Sequence, residues 1–198
     1  MKYINKWLII IFIPFALIAQ KDFEKGYIVT LENDTISGMI KDRKGGSFPK
    51  LYDKVYFKRK GHRKKKYGPD KILSYQRGEN KYESIWFQDH GIPFMGFYAS
   101  KENLGEKVFF QVIQKGYLSY YHLEFIHSDS GYIDATTFFK KDDAQSFVQV
   151  YQGIFGLKKK ALAKYLKDYP ELAEKIENGE IKNAFEVLND YNSWREQN

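Results

Sequence analysis

The stretch that most constrains this chain is residues 26–40, GYIVTLENDTISGMI. Apolar and polar residues alternate through 27–31 and again through 35–40, the period of a strand with one buried face. Asn33 and Asp34 sit between the two runs, and both residue types tolerate the positive φ of a tight turn. The stretch therefore reads as a β-hairpin, and everything downstream to about Phe139 reads as further strands added to it.

Strand candidates follow at 54–58, 72–76, 81–87, 93–99, 106–114, 117–126 and 132–140. Turn residues separate them: Tyr67-Gly68-Pro69-Asp70, Arg77-Gly78-Glu79-Asn80, Asp89-His90-Gly91 and Lys115-Gly116. Residues 146–151 read equally as strand or helix. Several short strands at this spacing favour a mostly antiparallel sheet curling toward a barrel or sandwich.

The pattern changes after Gly156. Leu157, Ala161, Leu162, Tyr165 and Leu166 recur at helical spacing. Asp168 is placed to cap a second helix that has Pro170 in its first turn and ends at Asn178-Gly179. Ile181, Phe185, Leu188, Tyr191 and Trp194 mark a third. Each apolar stripe is too narrow for an independent core, so the three short helices are expected to pack on the sheet. The expected class is α+β, with a β domain over 20–156 and a docked helical appendage over 157–198.

Residues 1–19 stand apart. Lys2 and Lys6 precede an apolar run over 8–18 broken only by Pro14, and Ala19 precedes Gln20. The run falls well short of the ~20 residues that span a bilayer, so it reads as a signal peptide removed near Gln20. The expected location is exported, in the periplasm or cell envelope. The chain has no cysteine, which excludes disulfides, thiolate catalysis and Cys-based metal sites.

The chain resembles a family of uncharacterised exported proteins of Bacteroidetes. The resembling pieces are the N-terminal Gly26-Tyr27-Ile28-Val29-Thr30-Leu31 with Asp34-Thr35-Ile36 and Gly38, and Pro69-Asp70-Lys71-Ile72 with Tyr75 and Tyr82-Glu83-Ser84. Further pieces are 108–112 with 116–121, and Pro170-Glu171-Leu172 with Ile176 and Tyr191-Asn192. Tyr169 stands where such proteins often carry cysteine. The resemblance implies an exported β domain with C-terminal helices, and no activity.

Charge is distributed unevenly. Residues 41–71 hold thirteen Lys or Arg against Asp42, Asp53 and Asp70, within a chain of formal net charge +7. The densest part is Lys58, Arg59, Lys60, Arg63, Lys64, Lys65 and Lys66. Such a run repels itself and reads as a solvated hairpin tip. It is also the candidate binding surface for an anionic glycan, a lipid headgroup or an acidic protein. Nucleic acid is the usual partner of such a run, but an exported protein seldom meets it. A secondary candidate is the aromatic group Trp86, Phe94 and Tyr98, whose rings either stack on a ligand or fill a core.

No catalytic motif of recognisable spacing is present, neither a nucleophile elbow nor a zinc helix nor a phosphate loop. No cofactor or metal site is expected. Asn33-Asp34 resembles a fragment of a calcium loop but supplies far too few oxygens. His122 and His127 fall on opposite faces of one strand, with Ser128 and Asp129 beside the second. The expected function is a non-catalytic envelope or periplasmic binding module that uses the basic hairpin. The alternative is a hydrolase of envelope polymers using His122 and Glu124, which share a strand face.

Overall fold

The computed structural model describes residues 23–41, 54–89, 97–126 and 132–198. The expected signal peptide, His90, Phe94, His127, Ser128 and Asp129 lie outside the described residues.

The opening hairpin forms as its alternation predicts. Strands β1 (Phe23–Thr30) and β2 (Thr35–Lys41) pair antiparallel, with Gly26 opposite Gly38 and Ile28 opposite Ile36. The Thr30 amide donates to the Asp34 carbonyl at 2.9 Å, and the Asn33 amide to the Thr30 carbonyl at 3.1 Å. Asn33 takes φ 70°, the left-handed conformation that asparagine tolerates. The turn accounts for this dipeptide without any ion.

Nine more strands extend the ribbon: β3 (Val55–Lys58), β4 (Lys65–Tyr67), β5 (Ile72–Arg77), β6 (Asn80–Phe87), β7 (Phe97–Ala99), β8 (Glu106–Gln114), β9 (Leu118–Ile126), β10 (Ile133–Lys141) and β11 (Ser146–Gln149). They form one open sheet in the order β4-β3-β2-β1-β5-β6-β8-β9-β10-β11-β7. Every neighbouring pair is antiparallel. A single bridge ties the last strand back toward the middle: Gln88 and Ala99 exchange amide-to-carbonyl bonds at 3.0 and 3.1 Å. The β6–β11 region is thereby curled on itself. Residues 146–149, which read equally as strand or helix, are strand.

Register decides which face each residue takes, because directly opposed residues of an antiparallel pair point the same way. One face, called outer here, carries Ile28, Ile40, Val55, Phe57, Ile72, Tyr75, Tyr82 and Phe109, a buried cluster over the first half of the sheet. Tyr75 and Tyr82 stack there with ring centroids 4.5 Å apart. The opposite face is apolar over the second half, where Phe110, Tyr121, Phe138 and Phe147 pack inside the curl. Phe110 and Phe147 stack at 4.7 Å.

The helices cover the outer face of the second half. They are α1 (Lys159–Tyr165), α2 (Pro170–Asn178) and α3 (Ala184–Gln197). Leu162, Leu166, Leu172, Ile176, Val187, Leu188 and Tyr191 close over Leu118, Tyr120, Phe139, Val148 and Val150 in one buried cluster. The expectation of short helices packed on a mostly antiparallel sheet is met. Among the described residues no helix is long and apolar enough to cross a membrane.

Two local expectations change. Pro170 does open α2 and Gly179 ends it, but Tyr169 is the N-cap and makes no side-chain cap bond. Asp168 is instead drawn to the sheet, with Lys141 Nζ at 2.5 Å and the Tyr191 hydroxyl donating to it at 2.6 Å. A cap needs only a local amide, whereas these partners offer a cation and a buried phenol. Lys65 and Lys66, expected in a solvated tip, are strand residues of β4.

Candidate functional site

The basic run is a hairpin whose two faces differ. Strand register pairs Val55 with Tyr67, Tyr56 with Lys66, and Phe57 with Lys65. Val55, Phe57, Lys65 and Tyr67 therefore share the outer face, while Tyr56, Lys58 and Lys66 share the other. The chain reverses where the His62 amide donates to the Arg59 carbonyl at 3.0 Å. Gly61 stands at the third position of that turn with φ 78°, a conformation that a side chain disfavours.

On the outer face Arg59, His62, Arg63 and Lys65 rim a notch of about 150 Å³ floored by Ile36, Phe57 and Tyr67. The rings of Phe57 and Tyr67 meet edge to face at 6.1 Å. The volume equals about five waters at ~30 Å³ each, well under the ~300–1,000 Å³ of an enclosing small-molecule pocket. Such a notch accommodates one anionic group and an apolar edge, not a whole free ligand. On the other face the Lys64 and Lys66 ammonium groups lie 4.6 and 5.3 Å from the Tyr56 ring centroid, in the range of cation–π attraction.

All seven cationic residues of the run are exposed. None of the seven has a carboxylate within the 4.0 Å of an ion pair among the described residues. Among the described residues no carboxylate compensates their charge at short range. The sequence alone did not supply Ile36, Phe57 or Tyr67 as the floor, nor His62 as part of the rim. The period-two pattern of 55–58 against 65–67 is the signal that divides the charges by face.

The aromatic candidates do not form one platform. Trp86 lies opposite Lys107 on the outer face, with the ammonium 5.5 Å from its ring. Tyr98 faces into the curl, stacked on Phe87 at 5.2 Å and meeting Phe138 edge to face at 5.1 Å. Burial, followed by the charge of Asp89, raises the Tyr98 phenol above its ordinary pKa. Tyr98 is a core residue.

His122 and Glu124 do share the outer face of β9, about 7 Å apart along the strand. His122 packs against the Tyr120 ring at 5.2 Å, and burial holds its imidazole below the usual range. Glu124 accepts from the Tyr82 hydroxyl at 3.5 Å. Both lie in a strip between the two outer clusters, with Thr137 opposite His122 across the strand pair and the Tyr82 hydroxyl on Glu124. Among the described residues no three His, Asp or Glu are grouped to hold a metal.

A polar cluster that sequence reasoning missed sits at the end of the curl. Lys115 Nζ donates to Glu83 Oε2 at 3.0 Å and to the Tyr121 hydroxyl at 2.7 Å, and that hydroxyl donates to Glu83 at 2.9 Å. Burial and the Glu83 charge push Tyr121 up to about 12. Burial lowers Lys115, but its bonds to Tyr121 and Glu83 outweigh that and raise it. Burial and the Lys115 charge lower Lys140. Lys115, Glu83 and the Tyr121 phenol are thus bound to one another. They satisfy one another, as a structural cluster does.

No protein-family model, curated protein or solved structure matches this chain.

Proposed function

We propose that the protein is an exported, non-catalytic binding module of the periplasm or cell envelope, and that its β3–β4 hairpin engages an anionic glycan. The observation that carries this reading is the outer-face notch, where Arg59, Arg63 and Lys65, with His62 beside them, surround an apolar, partly aromatic floor whose described lining holds no carboxylate. Cations that pair with no described carboxylate keep their long-range attraction for anions, and a ring floor suits the apolar face of a sugar. The small volume favours an extended polymer that presents one anionic group at a time. Export rests on residues 1–19. Mass spectrometry of the protein from its native envelope fraction tests it, since a start near Gln20 supports processing and an intact Met1 contradicts it.

Chromatography on a sulfated polysaccharide matrix tests the binding reading. The parent should be retained at low salt and released at high salt, as screening lengths fall from ~10 Å at 0.1 M to ~3 Å at 1 M. Replacing Arg59, Arg63, Lys64, Lys65 and Lys66 by glutamine should abolish retention without altering the melting curve. A control that replaces Lys71, Lys101, Lys164, Lys167 and Lys182, all exposed, removes the same charge elsewhere and should stay retained. Equal elution of both variants would reduce the effect to net charge and refute the hairpin's role.

A further inference from the structure

The segment after β11 carries apolar side chains that the fold does not bury. Ile154 is 95% and Phe155 79% exposed, at the tip of a short 3₁₀ turn over Gly153–Phe155. The base of this loop is fastened to the sheet and helices. Tyr151 bridges to Leu157, the Gln152 amide donates to the Gly156 carbonyl at 2.9 Å, and the Lys158 amide to the Val150 carbonyl at 2.8 Å. Val150 and Leu157 on either side are buried in the helix–sheet core. The Phe155 amide reaches the Gln152 carbonyl at 3.3 Å, and Gly153 and Gly156 take φ 61° and 77°. The loop is thus held by its flanks in a shape that presents the two side chains outward.

Beside the tip lies a cleft of about 570 Å³ lined by Gln152, Phe155, Leu157, Lys158, Lys159 and Lys160. Three consecutive lysines thus adjoin two exposed apolar groups, with no acidic residue between 144 and 167. The composition discriminates between partners. Lysine is depleted where proteins meet proteins. Large apolar residues beside lysines are what settles at a bilayer surface, where the lysine stem lies along apolar chains and its head stays in water.

We propose that Ile154 and Phe155 insert into the headgroup–acyl boundary of an anionic bilayer, with Lys158, Lys159 and Lys160 meeting the lipid phosphates. This surface is separate in sequence from the β3–β4 hairpin and does not rest on the glycan reading. Apolar burial drives the insertion, and the lysines add attraction to the lipid phosphates.

The chain has no cysteine, so Ile154→Cys provides a unique attachment point for an environment-sensitive fluorophore on the full-length protein. Vesicles of phosphatidylcholine containing about one-third phosphatidylglycerol should shift its emission to the blue. Brominated acyl chains should quench it. Vesicles of phosphatidylcholine alone should do neither, and a label at Glu79→Cys, in an exposed turn, should not respond to either. Because the readout is local, membrane binding by the apolar N-terminal run does not mimic it. Phe155→Ser in the labelled Ile154→Cys protein should leave the melting curve unchanged and raise the lipid concentration needed for half of the blue shift tenfold or more. An unaltered label in the presence of anionic vesicles overturns the proposal, as does quenching independent of phosphatidylglycerol. A label that turns apolar only as protein concentration rises marks contact between copies of the chain and overturns it too.

Discussion

Asn192 of α3 holds the β8–β9 turn, and replacing it should loosen the junction between helix and sheet. Its Oδ1 accepts from the Leu118 amide at 2.7 Å and its Nδ2 donates to the Leu118 carbonyl at 3.0 Å, as a neighbouring strand would. Leu118 is fully buried, so Asn192→Ala leaves both main-chain groups without these partners. Each unmet buried group costs about 1–3 kcal/mol. Gly116 beside it is exposed, so water reaches one side of the vacated space and the lower end applies. The expected loss is about 2 kcal/mol, or ~4–8 °C in Tm for a chain this size.

The same geometry predicts a coupling. A Cβ on Gly116 would lie 2.6 Å from Asn192 Nδ2 and 2.7 Å from its Oδ1, and Gly116 is not among the residues at positive φ. Gly116→Ala should therefore cost about 1–3 kcal/mol by collision alone. That cost should largely vanish once Asn192 is already alanine. Urea unfolding of the parent, both single variants and the double variant measures this cycle, provided the m values agree. If Gly116→Ala cost the same in both backgrounds, the interlock would be refuted.

The remaining predictions concern the helices. Burial raises the Asp168 carboxyl, but hydrogen bonds from Lys141 and Tyr191 outweigh it and hold its pKa below the usual carboxylate range. A depressed folded pKa stabilises above the unfolded value of about 3.9 and is lost as pH falls through the folded one. Asp168→Asn should therefore cost on the order of 1 kcal/mol at neutral pH, discounted for the 40% exposure of this side chain. The gap from the parent should begin to narrow as pH falls below ~3.9 and vanish below the folded pKa, and a gap constant down to strong acid would contradict the linkage. Residues 157–198 alone should show weak helicity and no cooperative melt by circular dichroism, since α1 to α3 each bury one stripe against the sheet and isolated helices under ~12–15 residues are marginal. A cooperative transition would make them a separate domain.

Much of the sheet was legible because alternation and turn chemistry are local. β8 begins and ends where its pattern does, at Glu106 and Gln114, and Asn33 supplies the positive φ that the first turn needs. β4 was not legible, since charge repulsion in 58–66 argues for solvent and says nothing of pairing. Register reconciles the two by pairing Lys65 with Phe57 and Lys66 with Tyr56, so that stems pack while heads stay wet. Asp168 was misread because Lys141 is 27 and Tyr191 23 residues away, beyond any helix-start pattern. The notch was hidden for the same reason, as its floor draws Ile36, Phe57 and Tyr67 from three strands. Trp86 and Tyr98 could be assigned to faces only once Lys107 and Phe147 were known as their strand partners.

The central claim is that one face of the basic hairpin binds an anionic polymer. Two triple variants of equal charge separate the faces: Arg59→Gln with Arg63→Gln and Lys65→Gln on the notch face, and Lys58→Gln with Lys64→Gln and Lys66→Gln on the Tyr56 face. Titration calorimetry of each against a sulfated oligosaccharide, at several salt concentrations, is the direct measurement. The notch-face variant should lose most of the affinity and most of its salt dependence, while the Tyr56-face variant keeps both nearly intact. Equal losses in the two variants, or a larger loss from the Tyr56 face, would contradict the assignment.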